Sequence, residues 1–548
     1  MRPVTDRRSV AEDDRLHLNS LGYAQELHRG LGLFSNFAIS FSIISILAGG
    51  FTAFAIGAIY GGPLAITTGW VVVGGFSLCV GMAMAEITSA YPTAGGLYYW
   101  AAKLAVRNGP RWAWFTGWFN FVGQIGVIAS VDYALANYVV AFVNLYSGPD
   151  GPVLRPTAGT LFAVYLAVLA VHGLCNVAGA RLVKLLGDVS VWWHVVGVAV
   201  IVGVLVVGPE HHQPASYLVQ FQNNSGWHGG LSSLYVLLLG LLLAQYTITG
   251  FDASAHVSEE TIGARTAAPR AIVRSIVISA VAALVLNWSF LLAVQNGPGG
   301  HDRLGAIANA SFITAPVVII AESGISLLLV KLLILISVVG QFFCGLASVT
   351  ANSRMVYAFS RDGGLPGSRL WHRINPRTRT PTNAVWIGVG ASAAVGTLSL
   401  VQNRGYAVAF FALTGIAVIG LYLAYGIPIW LRLRNPAFTP GPYSLGRWSR
   451  TVGRTALAWI AVISVLFVCP LSPQWRWWRP DEINSANFTG PLIVVVTLAF
   501  GLWWVLSAHR WFTGPKVQGT PEELRAIEAE LERLEVLERP RPEAGAQS

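Results

Sequence analysis

Two long apolar stretches are interrupted by residues that can bind a charged ligand. The first, SNFAISFSIISILAGGFTAFAIGAIY, carries Ser40, Ser42, Ser45, Gly49, Gly50 and Thr52 near its middle. The second, LSSLYVLLLGLLLAQYTITGFDASAHVSEE, gathers Thr247, Thr249, Gly250 and Asp252 towards its end. A helix in hydrocarbon keeps its backbone polar groups satisfied internally, and glycines flanked by hydroxyls are tolerated where it opens onto a cavity. Amides freed around Ala48 to Phe51 would present a positive dipole end to a carboxylate. Freed carbonyls and the Asp252 carboxylate would face an ammonium group, so a zwitterionic or amino-carboxylate ligand fits both ends. The competing reading is that the small residues only let helices pack closely. The matching placement of the two clusters, and the acid in the second, favour a binding site.

An ionisable side chain within an apolar span costs at least ~2.5–3.5 kcal/mol on insertion scales, so each needs a partner or a role. Asp132 follows Asn120 and Gln124 on a polar stripe that turns its helix toward the interior; a cavity role and a buried hydrogen-bonded pair are both open. His194 is either a coupling group titrating near neutrality or a satisfied interior histidine beside Trp192 and Trp193. Glu86 precedes Tyr91-Pro92 and is either a gate residue or a partner for an arginine or for freed amides. Glu259 and Glu260, opposite Arg265, Arg270 and Arg274, read as a gate or loop network. Lys331 can snorkel outward along its stem. His211 and His212 have no further ligand nearby, the pattern of a solvated loop. Cys79, Cys175, Cys344 and Cys469 lie in apolar stretches without CxxC spacing, so no disulfide framework, metal site or cofactor is expected.

These residues need long membrane helices to position them. Of 548 residues 54% are hydrophobic, 58 more are glycine, and only 11% are charged, against the ~25% charged typical of soluble chains. A soluble multidomain enzyme is excluded. Apolar runs near 34–60, 66–90, 113–145, 158–176, 188–208, 231–256, 271–295, 324–350, 383–401, 405–431, 456–470 and 489–508 each approach or exceed the ~20 residues needed to cross a bilayer. The prediction is an all-α polytopic membrane protein with twelve spans. The segment 301–323, interrupted by Pro316, reads as one or two short external helices. Thr520, Pro521 and Glu523 form a capping-box start, and Leu524, Ile527, Leu531 and Leu534 follow at helical spacing, which predicts a short amphipathic tail helix lying on the protein.

The net charge of +10 reports topology. With the N-terminus inside, 30 of the 36 Lys and Arg fall on the cytoplasmic side, and only Arg155, Arg303, Arg404, Arg476 and Arg479 fall opposite, with Lys331 inside a span. That bias places both termini in the cytoplasm and the basic surface against anionic lipid headgroups, not nucleic acid. No signal peptide is expected, because the polar first 33 residues hold no apolar core. The expected organisation is an N-terminal segment 1–33, spans 1 to 5 over 34–208, spans 6 to 10 over 231–432, spans 11 and 12 over 451–510, and a tail 511–548. The interrupted helices are the first and the sixth. Five being odd, the second set of five runs inverted relative to the first, as in inverted-repeat transporters that hold substrate near the midplane.

Four spaced blocks carry a family likeness. GYAQELHRGLGLFSNFAISFSIIS (Gly22 to Ser45), AEITSAYPTAGGLYYWAAKLA (Ala85 to Ala105), GFDASAHVSEE (Gly250 to Glu260) with PRAI (Pro269 to Ile272), and NSRMVYAFSRDGGLP (Asn352 to Pro366) with TPTNAV (Thr380 to Val385) occur in the family's order. The chain thus resembles the amino acid–polyamine–organocation superfamily of permeases, within it the amino acid/choline transporter group that includes 4-aminobutyrate permeases. The resemblance implies a secondary transporter with a five-plus-five inverted-repeat fold and alternating access. It implies that Ala48, Gly49 and Gly50, near Ser45, bind the substrate carboxylate. It implies too that Thr249, Gly250, Phe251 and Asp252, with Tyr246, line the other side, Phe251 serving as an aromatic gate. Where many members read Gly-Ser-Gly in the first break, this chain reads Leu47-Ala48-Gly49. In some members a basic residue of the fifth span replaces a coupling sodium ion, and His194 is the positional counterpart.

The expected function is a cytoplasmic-membrane permease for amino acids or related amines such as 4-aminobutyrate, coupled to a proton or to an exchanged substrate. A nutrient sensor that binds without transporting is the alternative. An intramembrane enzyme would need a nucleophile–base pair or a metal cluster, and the sequence has neither HExxH nor GxSxG.

Overall fold

The twelve apolar stretches are helices in the computed structural model of the chain, which describes residues 4–297, 300–400, 406–474 and 487–537. The spans are Leu33–Thr52, Gly62–Ala90, Gly109–Asn144, Ala158–Val177, Ala180–Val207, Ser232–His256, Ala264–Leu292, Leu327–Arg361, Thr382–Leu400, Phe410–Arg434, Gly446–Val468 and Thr489–Leu506. Helices satisfy every backbone group within the segment, which is why hydrocarbon selects them. Tyr60–Gly61 pairing with Gln222–Asn223 is the one small sheet among the described residues.

Span 8 differs most usefully from its expected end near residue 350: it runs on to Arg361. Its last turns carry Asn352, Ser353 and Arg354, which are buried against neighbouring spans. Segment 301–323 forms two short helices, Leu304–Ala310 and Ala315–Glu322, packed on the second half of span 1 and closed by an ion pair of Arg303 with Glu322 at 2.7 Å. Of the basic residues used in the topology argument, Arg2, Arg404, Arg476, Arg479, Arg539 and Arg541 lie outside the described residues.

The packing follows the repeat. Span 1 touches span 6, span 2 packs along span 7, span 3 along span 8 and span 4 along span 9, so each partner lies five spans onward. This is a five-plus-five inverted-repeat bundle with broken first and sixth helices. Spans 11 and 12 lie outside it, against spans 2, 3 and 10. Exposed Leu174, Trp192, Val195, Val196, Leu498 and Leu502 leave the flanks of spans 4, 5 and 12 apolar, a belt that a soluble monomer would not display. The chain is a multi-pass membrane protein.

The N-terminal helix Val4–Ser20 and the C-terminal helix Pro521–Leu537 meet on one face of the bundle. Buried Glu528 accepts from the Gln25 amide (2.7 Å), Asn19 Nδ2 (2.9 Å) and Arg15 (3.1 Å). The capping box at Thr520 is present: its amide donates to Glu523 at 2.7 Å and its hydroxyl accepts from the Glu523 amide at 3.3 Å. Leu524 is buried, so this helix lies on the protein, while the side chain of Leu534 lies outside the described residues.

Candidate functional site

Span 1 stops being helical after Ile44. Ser45 has φ 12° and ψ 95°, and a short helix resumes at Gly49. The carbonyls freed by the break are taken up by neighbouring spans: Ser337 Oγ donates to Leu47 O (2.8 Å), Asn287 Nδ2 to Gly50 O (3.1 Å) and Cys344 Sγ to Ile43 O (3.1 Å). Such substitutes are what allow irregular backbone at membrane depth. Of the amides expected to be free, those of Ala48 and Gly49 turn back onto Ser45 O (both 2.9 Å) and that of Phe51 onto Ala48 O (3.1 Å). Among the described residues, the amides of Ile46, Leu47 and Gly50 make no backbone hydrogen bond.

Span 6 breaks after Ile248. Thr249 is extended, Gly250 has φ +108°, and Ala253–His256 forms a last turn. Here span 1 supplies the missing partners: Ser40 Oγ donates to Phe251 O and accepts from the Ser254 amide (both 2.9 Å), and Asn36 Nδ2 donates to Ser254 O at 3.0 Å. The breaks also interlock sterically. A Cβ on Gly49 would stand 2.6 Å from Thr247 Oγ1, and one on Gly250 would collide with Ile43 Cγ2. The small residues therefore serve close packing and helix interruption together; the two readings of the sequence are not exclusive.

Two adjoining clefts lie between the breaks. One, a narrow space of about 20 Å³, is lined by Ala48, Gly49, Tyr246, Thr247, Thr249 and Cys344 among others. The second, of about 10 Å³, includes Gln124, Gly250, Asp252 and Ser348, and Ile43 and Val127 border both. Ala48, Gly49, Tyr246, Thr249, Gly250 and Asp252 thus all line one or other of these clefts. Ser45, Gly50 and Phe251 stand behind the walls. Ser45 Oγ is 2.7 Å from His194 Nε2; Gly50 faces Asn287 of span 7; Phe251 packs on Tyr422 and Tyr425 of span 10. All three are buried.

The ionisable residues are all paired. His194 Nδ1 is 2.8 Å from Ser190 O, so that nitrogen carries the proton and Nε2 accepts from Ser45. Asp132 Oδ2 lies 3.2 Å from His172 Nδ1, both fully buried, which realises the hydrogen-bonded pair. Asp252 Oδ1 accepts from Tyr425 OH at 2.6 Å, and its Oδ2 is 3.3 Å from His256 Nε2. Lys331 Nζ sits 3.7 Å over the ring of Tyr146.

The partners of the acidic pair after span 6 differ from the expected Arg265, Arg270 and Arg274. Glu260 binds buried Arg354 (2.7 Å) and Glu259 binds Arg361 (3.1 Å), both from the extended end of span 8. Gln25 Nε2 donates to Glu259 O (2.9 Å) and the Gly30 and Leu31 amides to Glu260 O, so the N-terminal segment seals the same face. Glu86 shares none of these partners. It pairs with Arg432 at 2.9 Å, accepts from the Leu445 amide at 3.0 Å and binds Ser449 at the start of span 11. Outside the spans, burial raises the Asp362 carboxyl above its usual range, with Tyr23, Tyr98 and the Lys516 amide donating to it.

This geometry, two facing broken helices bordering the same clefts, is joined by a sequence match: residues 31–502 match the amino acid permease family. The chain belongs to that family. It is 41% identical over 522 residues to amino-acid permease BAT1 of Arabidopsis thaliana, spanning 92% of this chain and 97% of that protein. It is 38% identical over 538 residues to the amino-acid permease BAT1 homolog of Oryza sativa subsp. japonica, spanning 94% and 98%. The GABA-specific permease of Saccharomyces cerevisiae is 29% identical over 519 residues, spanning 93% and 87%. Like the family, this permease is a transporter of amino acids. Sequence reasoning missed several of its buried polar groups, His172, His256, Arg354, Arg361, Tyr422 and Tyr425. His256 alone had a local signal, its position one helical turn beyond Asp252.

Proposed function

We propose that this permease moves amino acids or related amines such as 4-aminobutyrate across the plasma membrane by alternating access, with a proton or an exchanged substrate as coupling species. The supporting observation is that residues of both breaks, Ala48, Gly49, Thr249, Gly250 and Asp252, line adjoining clefts between the two broken helices. In this reading the substrate carboxylate meets the span 1 break from Ala48 to Gly50, beside Ser45, where a dipole end favours an anion. Its ammonium meets Asp252, with Tyr246 and Thr249 between. Phe251, packed on two tyrosines, is the aromatic gate. Opening toward the terminal face requires parting Glu259 from Arg361 and Glu260 from Arg354, with Glu86 holding span 11 to span 2 beside them. His194 and Asp132 are the coupling candidates named by sequence.

The proposal includes cytoplasmic termini, a basic cytoplasmic surface on anionic lipid, and a division into repeats at 34–208 and 231–432 followed by spans 11 and 12. The distribution of Lys and Arg supports the orientation. Purified protein in liposomes should accumulate or exchange at least one labelled amino compound; a broad panel without uptake or exchange overturns the reading. Binding without flux would identify a sensor instead. Single cysteines replacing Arg303 and Arg373 should label with an impermeant reagent from outside and inside the cell respectively, and the reverse pattern overturns the orientation.

A further inference from the structure

Asp252 and His256 form a buried pair whose geometry lacks one proton. His256 Nδ1 lies 3.0 Å from Ala94 O, a carbonyl that can only accept, so Nδ1 carries hydrogen. Nε2 of the neutral ring is then a lone pair, and Asn120 Nδ2 at 3.1 Å donates to it. Asp252 Oδ2, 3.3 Å from the same nitrogen, makes no hydrogen bond although it is buried, while Oδ1 is held by Tyr425. Oδ2 and Nε2 thus face each other across a 3.3 Å gap with no hydrogen bond between them, and a proton on Nε2, toward which Asn120 would turn its unpartnered Oδ1, would pair a cationic ring with the carboxylate.

We propose that this gap is the proton-binding site of the permease, and that the proton there competes with the substrate ammonium for Asp252. The inference rests on the transporter reading above and deepens it. Asp252 lines the second cleft, whereas His256 lies behind it against the loop at Ala94. A proton arriving on His256 Nε2 turns the ring cationic and ties up Asp252 Oδ2; an ammonium docking on Asp252 opposes that second positive charge. Reciprocity makes each ligand weaken the other, so the cycle exchanges protons against substrate.

The surroundings isolate the pair. Span 3 offers it Asn120 and Gln124, span 10 Tyr422 and Tyr425, span 1 Ser40, and span 8 Ser348 and Asn352, none of which is charged. Span 7 packs on the last turn of span 6, and all its buried side chains are uncharged. Glu259 and Glu260, farther along the chain, are neutralised by Arg361 and Arg354. The site also reaches the gate: Ala94, which accepts from His256, donates its amide to Glu259 Oε1 at 2.9 Å. The other buried histidines fit less well. His194 has both nitrogens satisfied by Ser190 and Ser45, and neither Asp132 nor His172 lines either of the two clefts described above.

The test measures binding and liposome uptake of labelled 4-aminobutyrate, alanine, glutamate and arginine from about pH 8 to pH 5.5. The wild type should lose affinity on acidification by up to about tenfold per pH unit, the limit for one competing proton, and an acidic vesicle lumen should drive uptake. His256→Asn keeps a donor for Ala94 O, and His256→Gln places its amide near Nε2; either should bind with affinity independent of pH and lose the proton drive. His172→Gln should retain the wild-type slope. Affinity that rises in acid, a wild-type slope in both His256 variants, or loss of the slope in His172→Gln overturns the proposal. Failure of the wild type to bind or move any of the four overturns the transporter reading on which it rests.

Discussion

Replacing Gly250 by alanine tests the interlock of the two broken helices. At φ +108° the backbone is in a region that L-residues avoid at a cost of about 1–2 kcal/mol. The new methyl would also collide with Ile43 Cγ2, and its next neighbour, Ile43 Cβ, lies 3.4 Å away. Overpacking of this kind costs about 1–3 kcal/mol, so the two effects together predict a loss of about 2–5 kcal/mol. They are separable. Ile43→Ala removes Cγ2 but leaves Cβ in ordinary contact, so I43A/G250A should regain the steric part, a coupling energy of about 1–3 kcal/mol, and retain the backbone part. The assay is thermal unfolding of the four purified proteins of the cycle, with uptake measured in parallel. G250A should melt lower and transport poorly, and the double variant should melt higher than the sum of the single effects. A G250A protein as stable as wild type, or additive single effects, would refute the claim that these breaks are locked against each other.

Three other outcomes follow from the terminal face. R354A strands the buried Glu260 carboxylate and should cost about 3–5 kcal/mol, most of it recovered in R354A/E260A; thermal melts of the two variants check this, and an unaffected R354A contradicts the buried ion pair. E528A removes the acceptor of three hydrogen bonds from residues 15–25, each worth about 1.5–3 kcal/mol when charge-assisted, and should raise amide exchange in that segment while sparing the spans. His17 titrates below the ordinary histidine value of 6.5, first through burial and then through Arg265. A depressed folded value contributes stability above pH 6.5 that is lost as pH falls through that lowered value. Exchange in the N-terminal helix, corrected for its intrinsic pH dependence, should therefore rise on acidification, and H17Q should abolish that rise.

Much of the fold is legible in the sequence because it rests on local properties. Each span announces itself by an apolar run of bilayer length, and the breaks by Gly49, Gly50 and Gly250 beside hydroxyls, since interrupted helices need both flexible backbone and substitute hydrogen bonds. The odd count between the breaks then carries the inversion. The end of span 8 was not legible: Asn352 and Arg354 look like a polar loop until Glu260 and the neighbouring spans bury them.

The site divides in the same way. Ala48, Gly49, Thr249, Gly250 and Asp252 were nameable because they form the breaks, and twelve spans and a permease-like order of blocks were fixed by residues close together in the chain. Which ionisable group meets which was decided by tertiary structure. Asp132 finds His172 40 residues away, Glu260 finds Arg354 at 94 and Glu259 finds Arg361 at 102. Low dielectric makes a partner obligatory for each buried charge, but only the packing of distant spans brings a particular one within reach.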